Sequence, residues 1–255
     1  MTSAPLLYVC VRPQQGAAAA EYESFRSAMQ LDASLLHQHD LVRTPFSHDI
    51  FDRYSGFVVG GSPFNVADPE PTKTEVQLRL EKDLEHLAAH TAAGDGAAAL
   101  FTCYGIGVVT RMLGGEVTRA FPEDTGPVSI ELTPDGRADP LFGGLANRFT
   151  ALTAHKEGTS AAPRGAVLLA QNEACPAQAY RVGDRLYTTQ FHPEPTSKAF
   201  TERMAVYRDD GYFDANAFDE IATRVLSASV TEPVRLLRTF AKRFGPSAAH
   251  ADLEQ

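Results

Sequence analysis

Short apolar segments alternate with amphipathic helical segments over the first half of the chain, and no other feature restricts the fold as strongly. The apolar segments predict buried strands at residues 6–11, 57–59 and 97–102. Apolar side chains that recur every three or four positions predict helices at residues 21–30, 74–93 and 105–113. Because a β-α-β-α order of this kind forms a parallel sheet with helices on both faces, we predict an α/β fold.

The second half changes character and then returns to helices. Three further strands are predicted, and two more flank the turn Gly183-Asp184, which is a strong hairpin signal. These five strands are residues 128–132, 149–153, 166–170, 177–182 and 185–190. The pattern is helical from Thr196 to about Phe244. We therefore predict one domain over residues 1–197 and a helical C-terminal extension over 198–255 packed on it, with its last ~10 residues frayed.

Charge and cysteine content exclude several classes of protein. The net charge is −9, from 32 acidic against 23 basic residues, without the basic face of a nucleic-acid binder. The longest apolar runs fall short of the roughly 18 residues of a membrane span, and the N-terminal segment reads as a strand, not a signal peptide. Three cysteines without close spacing argue against a disulfide framework or a metal site. We expect a cytoplasmic protein that binds neither nucleic acid nor membranes.

Cys103 stands where a predicted strand meets a predicted helix. This strand-to-helix turn is the context of a nucleophile elbow, with cysteine in place of serine. The positive end of the following helix favours a thiolate, and the N–H of Tyr104 would point at a developing oxyanion. Gly105 leaves room for the tight turn. The alternative is a buried structural cysteine, because most isolated cysteines are buried and have no catalytic role.

His192 follows another predicted strand, in the string QFHPEPT, with Glu194 two positions later. Residues i and i+2 of an extended segment point to the same side, so the carboxylate can orient the imidazole. With Cys103 these residues complete a nucleophile, base and orienter. Gly60 and Gly61 end the second predicted strand and could present an N–H to an oxyanion, although an ordinary strand-ending turn is the favoured explanation of the two glycines taken alone.

Four motifs in this order, GGSPFN, TCYGIG, HKEG and QFHPE, resemble those of the class I (triad) glutamine amidotransferases. The likeness covers about residues 40–197 and is greatest to stand-alone members related to the amidotransferase domain of GMP synthase. It implies a flavodoxin-like three-layer α/β/α fold with an antiparallel part. It also implies that Cys103 attacks the side-chain amide of glutamine, with His192 as base and acid and Glu194 as its orienter. The other site residues that it implies are Gly60, Gly61 and Tyr104 for the oxyanion hole, and Gly105, Gly107 and His155 for substrate binding.

Two positions depart from the family pattern. The family elbow usually reads Gly-x-Cys-x-Gly-x-Gln, whereas this chain has Phe101 and Gly107 at the first and last positions. The leading expectation is hydrolysis of glutamine, with ammonia released to a separate synthetase and without a cofactor or metal. Because the two departures lie beside the nucleophile, a γ-glutamyl peptide or amine hydrolase with the same triad remains open. A catalytically silent binding or regulatory subunit is the third alternative.

Overall fold

The computed structural model describes residues 4–94 and 96–246, so the predicted frayed tail lies almost wholly outside the described residues. Eleven strands are described: β1 (Leu6–Cys10), β2 (Leu36–Asp40), β3 (Gly56–Val59), β4 (Ala98–Thr102), β5 (Val117–Thr118), β6 (Glu123–Leu132), β7 (Arg148–His155), β8 (Gly158–Thr159), β9 (Ala166–Gln171), β10 (Ala179–Val182) and β11 (Leu186–Thr189). The α-helices are α1 (Gln15–Met29), α2 (Glu75–Ala92), α3 (Tyr104–Met112), α4 (Pro134–Ala138), α5 (Ser197–Val206), α6 (Phe218–Ser227) and α7 (Glu232–Phe244). Within these residues, none of the helices combines the length and apolarity needed to cross a bilayer.

A mixed, mostly parallel sheet forms the centre of the molecule. Its strand order is β2-β1-β3-β4-β11-β10-β9-β6-β7, and the first five strands are mutually parallel. The remaining strands pair in antiparallel fashion, and β10 and β11 form the predicted hairpin around Gly183, whose φ is +58°. The parallel part has the flavodoxin-like order, in which ligands bind beyond the carboxyl ends of the strands.

Helices cover both faces of the sheet, as the alternating sequence pattern predicted. In β4, Ala98 and Leu100 face a core that also holds Phe25 of α1 and Phe240 of α7. Ala99 and Phe101 face the opposite core, which is closed by α2 and α3. Successive residues of a strand point to opposite faces, so a continuous apolar segment is what a strand buried on both sides requires. The three-layer α/β/α fold is therefore confirmed.

The helices after residue 197 are attached in two different ways. α5 and α6 pack on each other and on the strand β7, where Phe200, Met204, Ile221 and Val225 surround Leu152. In contrast, Leu236 and Phe240 of α7 lie in the same core as β1, β3 and β4. The last helix thus completes a layer of the main fold.

Candidate active site

Cys103 lies at the carboxyl end of β4, in a strained backbone conformation. Its φ is +49° and its ψ is −104°, values that residues with a side chain rarely adopt. Its N–H donates to the carbonyl of Thr189 in the neighbouring strand β11 (2.8 Å), which ties the turn to the sheet. Such strain at the start of a helix aims the side chain out of the turn, and 7% of Cys103 is exposed.

Phe101 and Gly105, two positions before and after Cys103, pack against each other beneath the turn. Phe101 is fully buried, and a Cβ on Gly105 would lie 2.9 Å from the Phe101 Cβ. Gly105 therefore faces the core beneath the turn and lies outside both pockets described below. The missing side chain of Gly105 accommodates the Phe101 ring, and a substrate-binding role for Gly105 stays a prediction.

His192 and Glu194 form a buried pair next to the nucleophile. The N–H of His192 donates to the carbonyl of Leu152 (2.9 Å), and its Nδ1 lies 3.2 Å from Oε1 of Glu194. Burial lowers the pKa of His192, but the charges of Glu194 and Cys103 outweigh it and raise that pKa to about 9. The pKa of Glu194 is held well below its usual range, because the charges of His192 and Arg203 outweigh the opposing effect of burial. The imidazole is thus favoured in its protonated form.

A chain of buried charges continues from Glu194. Nη1 of Arg203, in α5, donates to Oε1 of Glu194 (2.7 Å) and lies 3.5 Å from Oε1 of Glu21 in α1. Glu21 in turn accepts two bonds from the guanidinium of Arg12, at 3.0 and 2.9 Å. All four side chains are buried. We refer to Arg12, Glu21, Arg203 and Glu194 as the charge chain; it alternates in sign and fixes the carboxylate that orients the imidazole.

Gly60 and Gly61, the glycines predicted for the oxyanion hole, both donate their N–H groups to acceptors within the protein. The N–H of Gly60 donates to the carbonyl of Val9 (3.1 Å), and that of Gly61 donates to Oε1 of Glu21 (3.2 Å). A Cβ on Gly61 would lie 2.7 Å from Cε1 of His192, and one on Gly60 would lie 2.2 Å from Oε2 of Glu21. In this structure both glycines leave space for His192 and the charge chain, and their role as oxyanion donors stays a prediction. The N–H of Tyr104, in the first turn of α3, belongs to the groups that helical bonding leaves free.

Two pockets meet at Cys103. The first, which we call the Gly107 pocket, has about 350 Å³ of space including its opening, and Tyr104, Gly107, Lys156 and Glu157 line it. The second, which we call the Phe200 pocket, has about 400 Å³ including its opening. It is lined by Arg12, Ser62, Cys103, Thr125, Ala154, His192, Phe200, Arg203, Met204, Tyr207, Tyr212 and Phe213. His192 lines only the Phe200 pocket. Four residues line both pockets: Ser62, Cys103, Ala154 and Tyr212.

His155 lies in the wall of the Gly107 pocket, but both of its ring nitrogens are engaged. Nδ1 is 2.8 Å from the carbonyl oxygen of Glu157, and Nε2 is 2.7 Å from Oε2 of Glu123. The carboxylate of Glu157 accepts the N–H groups of Val66 (2.6 Å) and Ala67 (2.9 Å). The ring thus bonds to the segment that carries Glu157, and a substrate-binding role for His155 stays a prediction.

Among the described residues, two clusters have donor atoms close enough to be compared with metal sites. One is Glu21, His192 and Glu194, which combines the His192–Glu194 pair with a member of the charge chain. The other is Glu123, His155 and Cys175. Burial raises the pKa of the Cys175 thiol to about 12, so it stays protonated and is a poor metal ligand, and the other two groups bond to each other. Hydrogen bonding accounts for both clusters.

Sequence reasoning did not identify the charge chain or the Phe200 pocket. Glu21 and Arg203 are separated by most of the domain and lie in ordinary amphipathic helices, away from any motif. The one available signal was a polar residue on a buried helix face, because Glu21 and Arg203 interrupt faces that pack on the domain.

Comparisons with known proteins concern the sequence family and the fold. The family model "Glutamine amidotransferase class-I" matches residues 28–207. γ-Glutamyl peptidase 3 of Arabidopsis thaliana is 30% identical over 169 residues, which span 62% of this chain and 63% of that protein. GMP synthase (glutamine-hydrolysing) of Thermomicrobium roseum is 30% identical over 139 residues, or 54% of this chain and 23% of that protein. A glutamine amidotransferase structure from Thermotoga maritima superimposes with a TM-score of 0.70 at 18% identity, covering 94% of this chain and 97% of the other.

Proposed function

Because the chain belongs to the class I glutamine amidotransferase family, we propose that it hydrolyses the γ-amide bond of a γ-glutamyl compound through a thioester on Cys103. Glutamine is the simplest such substrate. The observation that carries the proposal is the strained elbow, which brings Cys103 beside the buried His192–Glu194 pair at the carboxyl edge of the sheet.

The residues present supply each step. The Cys103 thiolate attacks the γ-carbonyl carbon, and the N–H of Tyr104 stabilises the oxyanion. Protonated His192 gives its proton to the amide nitrogen, the C–N bond breaks, and the amine leaves. Water, deprotonated by His192, then attacks the thioester; the C–S bond breaks, and glutamate and the free thiolate result. Glu194 stabilises the imidazolium and fixes its orientation throughout.

The Gly107 pocket suits the amino-acid end of such a substrate. It carries an ammonium at Lys156 and a carboxylate at Glu157, which complement the α-carboxylate and α-ammonium of a γ-glutamyl group. Lys156 also lies over the ring of Tyr212, 4.4 Å from its centroid, and this contact holds the side chain at the pocket.

Labelling with a diazoketone analogue of glutamine tests the proposal. We expect one adduct on Cys103 by intact mass and peptide mapping, and hydrolysis reduced by roughly a thousandfold or more in Cys103→Ala. Cys175→Ala is the matched control, because it removes another buried thiol and should keep both the label and the turnover. A wild-type protein without an adduct and without glutamate release contradicts the proposal and favours a silent binding or regulatory subunit.

Transfer of ammonia to a separate synthetase is a second candidate, favoured by the alignment with part of a GMP synthase. In that case glutamine hydrolysis should be slow in the isolated chain and should accelerate when the partner is added. Ammonia release that is equally fast with and without a candidate synthetase argues against this coupling.

A further inference from the structure

The two pockets have different tasks if the proposed thioester chemistry holds. The acid that protonates the departing nitrogen must lie within hydrogen-bond reach of it. His192 lines the Phe200 pocket but not the Gly107 pocket. The departing amine therefore leaves on the side of the Phe200 pocket, while the γ-glutamyl group occupies the other side of Cys103.

The Phe200 pocket does not confine the departing group to the size of ammonia. Its space of about 400 Å³ includes an opening to solvent, so the group carried by a departing amine can extend through it.

The walls of the Phe200 pocket are largely apolar and come from beyond the last catalytic residue. Phe200 and Met204 belong to α5, while Tyr212 and Phe213 belong to the segment that follows it. The two guanidinium groups in the wall, Arg12 and Arg203, are neutralised by carboxylates of the charge chain. The chain itself thus covers the departing side with aromatic and thioether groups that favour an apolar guest.

We propose that the preferred substrate is an N-substituted γ-glutamyl amide whose departing amine carries an aromatic or other apolar group that binds in the Phe200 pocket. This inference rests on the proposed function and narrows it to a substrate class. The bonds change as described above: the γ-carbon–nitrogen bond breaks, His192 donates a proton to the nitrogen, and a neutral primary amine leaves in place of ammonia.

Three compounds with the same acyl group and different departing amines test the proposal. They are γ-glutamyl benzylamide, γ-glutamyl methylamide and glutamine, and glutamate release gives kcat/KM for each. Burying a phenyl group stabilises binding by about 1.5–3 kcal/mol, so we expect the benzylamide to exceed the other two by about tenfold or more. Benzylamine should also slow the diazoketone labelling of Cys103 at concentrations at which methylamine has no effect.

Phe213→Ala tests whether the pocket binds the departing group, and Val206→Ala is its matched control. Phe213 lines the pocket, whereas Val206 is on α5, outside the lining and 51% exposed. Phe213→Ala should reduce the ratio of benzylamide to glutamine kcat/KM by about tenfold, whereas Val206→Ala should not change that ratio.

The possible outcomes separate the inference from the function on which it rests. If glutamine is hydrolysed as well as the benzylamide by the wild-type protein, the inference is wrong and the γ-glutamyl hydrolase remains. If none of the three compounds yields glutamate and Cys103 is not labelled, the proposed function itself is wrong. Because the wild-type comparison and the benzylamine competition need no variant, poor folding of Phe213→Ala leaves both conclusions open to test.

Discussion

At the scale of single residues, the ionisation of His192 sets the pH range in which a departing amine can be protonated. Its pKa is raised to about 9 because the charges of Glu194 and Cys103 outweigh burial, which acts in the opposite direction. A raised pKa means that the imidazolium is present below about pH 9 and is lost as the pH rises through that value. We expect kcat/KM for a γ-glutamyl amide to fall above about pH 9, as a pH–rate profile will measure.

Glu194→Gln should move this alkaline limb to lower pH. The substitution removes the charge that opposes burial and leaves the guanidinium of Arg203 facing the imidazole, so both effects disfavour the imidazolium. Glu202→Gln, an exposed carboxylate on the same helix as Arg203, is the control and should leave the profile unchanged. An unshifted limb in Glu194→Gln shows that another group titrates there.

The residues that perform the proposed chemistry could be predicted, whereas those that hold them in place could not. Cys103, His192 and Glu194 follow predicted strands within short motifs, and the carboxyl ends of parallel strands meet at one edge. Glu21 and Arg203 are brought to that edge only by the packing of α1 and α5 on the sheet. A helical pattern predicts which side of each helix is buried. It does not predict which two helices will contact each other.

At the scale of elements, the first turns of α3 are packed closely against the loop after β3. A Cβ on Gly107 would lie 3.1 Å from Cγ2 of Val66, whose N–H is held by Glu157. Gly107→Gln, which restores the family residue, should therefore crowd the pocket and not recover a substrate contact. Overpacking costs about 1–3 kcal/mol of folding stability. Because the added side chain also takes space at the wall of the Gly107 pocket, we expect KM for glutamine to rise by about tenfold, which is about 1.4 kcal/mol of lost binding.

Steady-state kinetics check this expectation, with Gly144→Gln as the control at an exposed glycine whose Cβ would meet open space. A lower KM for glutamine in Gly107→Gln would show that the loop moves aside and that the missing glutamine is what limits binding.

Strand prediction was accurate for the strands buried on both faces and missed β2 at one edge of the sheet. β1, β3 and β4 were predicted within one or two residues, because segments buried on both faces are continuously apolar. β2 was missed: its sequence, LHQHD, is mostly polar, and it lies at the end of the sheet, paired with β1 alone. A strand with one partner and a half-exposed surface carries little pattern of its own.

At the scale of the whole molecule, a substitution in α7 tests whether the cooperative domain includes this last helix. Phe240 is fully buried in the core shared with β1, β3 and β4. Phe240→Ala should lower the free energy of unfolding by about 3–5 kcal/mol, because it leaves a cavity in that core. Leu226→Ala, at a position that is 55% exposed on α6, should change it by no more than about 0.5 kcal/mol.

Urea unfolding followed by fluorescence and circular dichroism measures both variants. A single transition with the expected loss places α7 within the cooperative domain. A separate early transition, or a small effect of Phe240→Ala, instead supports an extension that begins after residue 197.

The charge chain also has a consequence for how this protein can change over generations. Losing any one of Arg12, Glu21, Arg203 or Glu194 leaves the buried chain with one charge that is not balanced within it, at a cost of about 3–5 kcal/mol. Single substitutions along the chain should therefore be eliminated, and alternatives should arise only as paired exchanges of an acid and a base. Descendants of this sequence are expected to inherit residues 21 and 203 together or to lose them together.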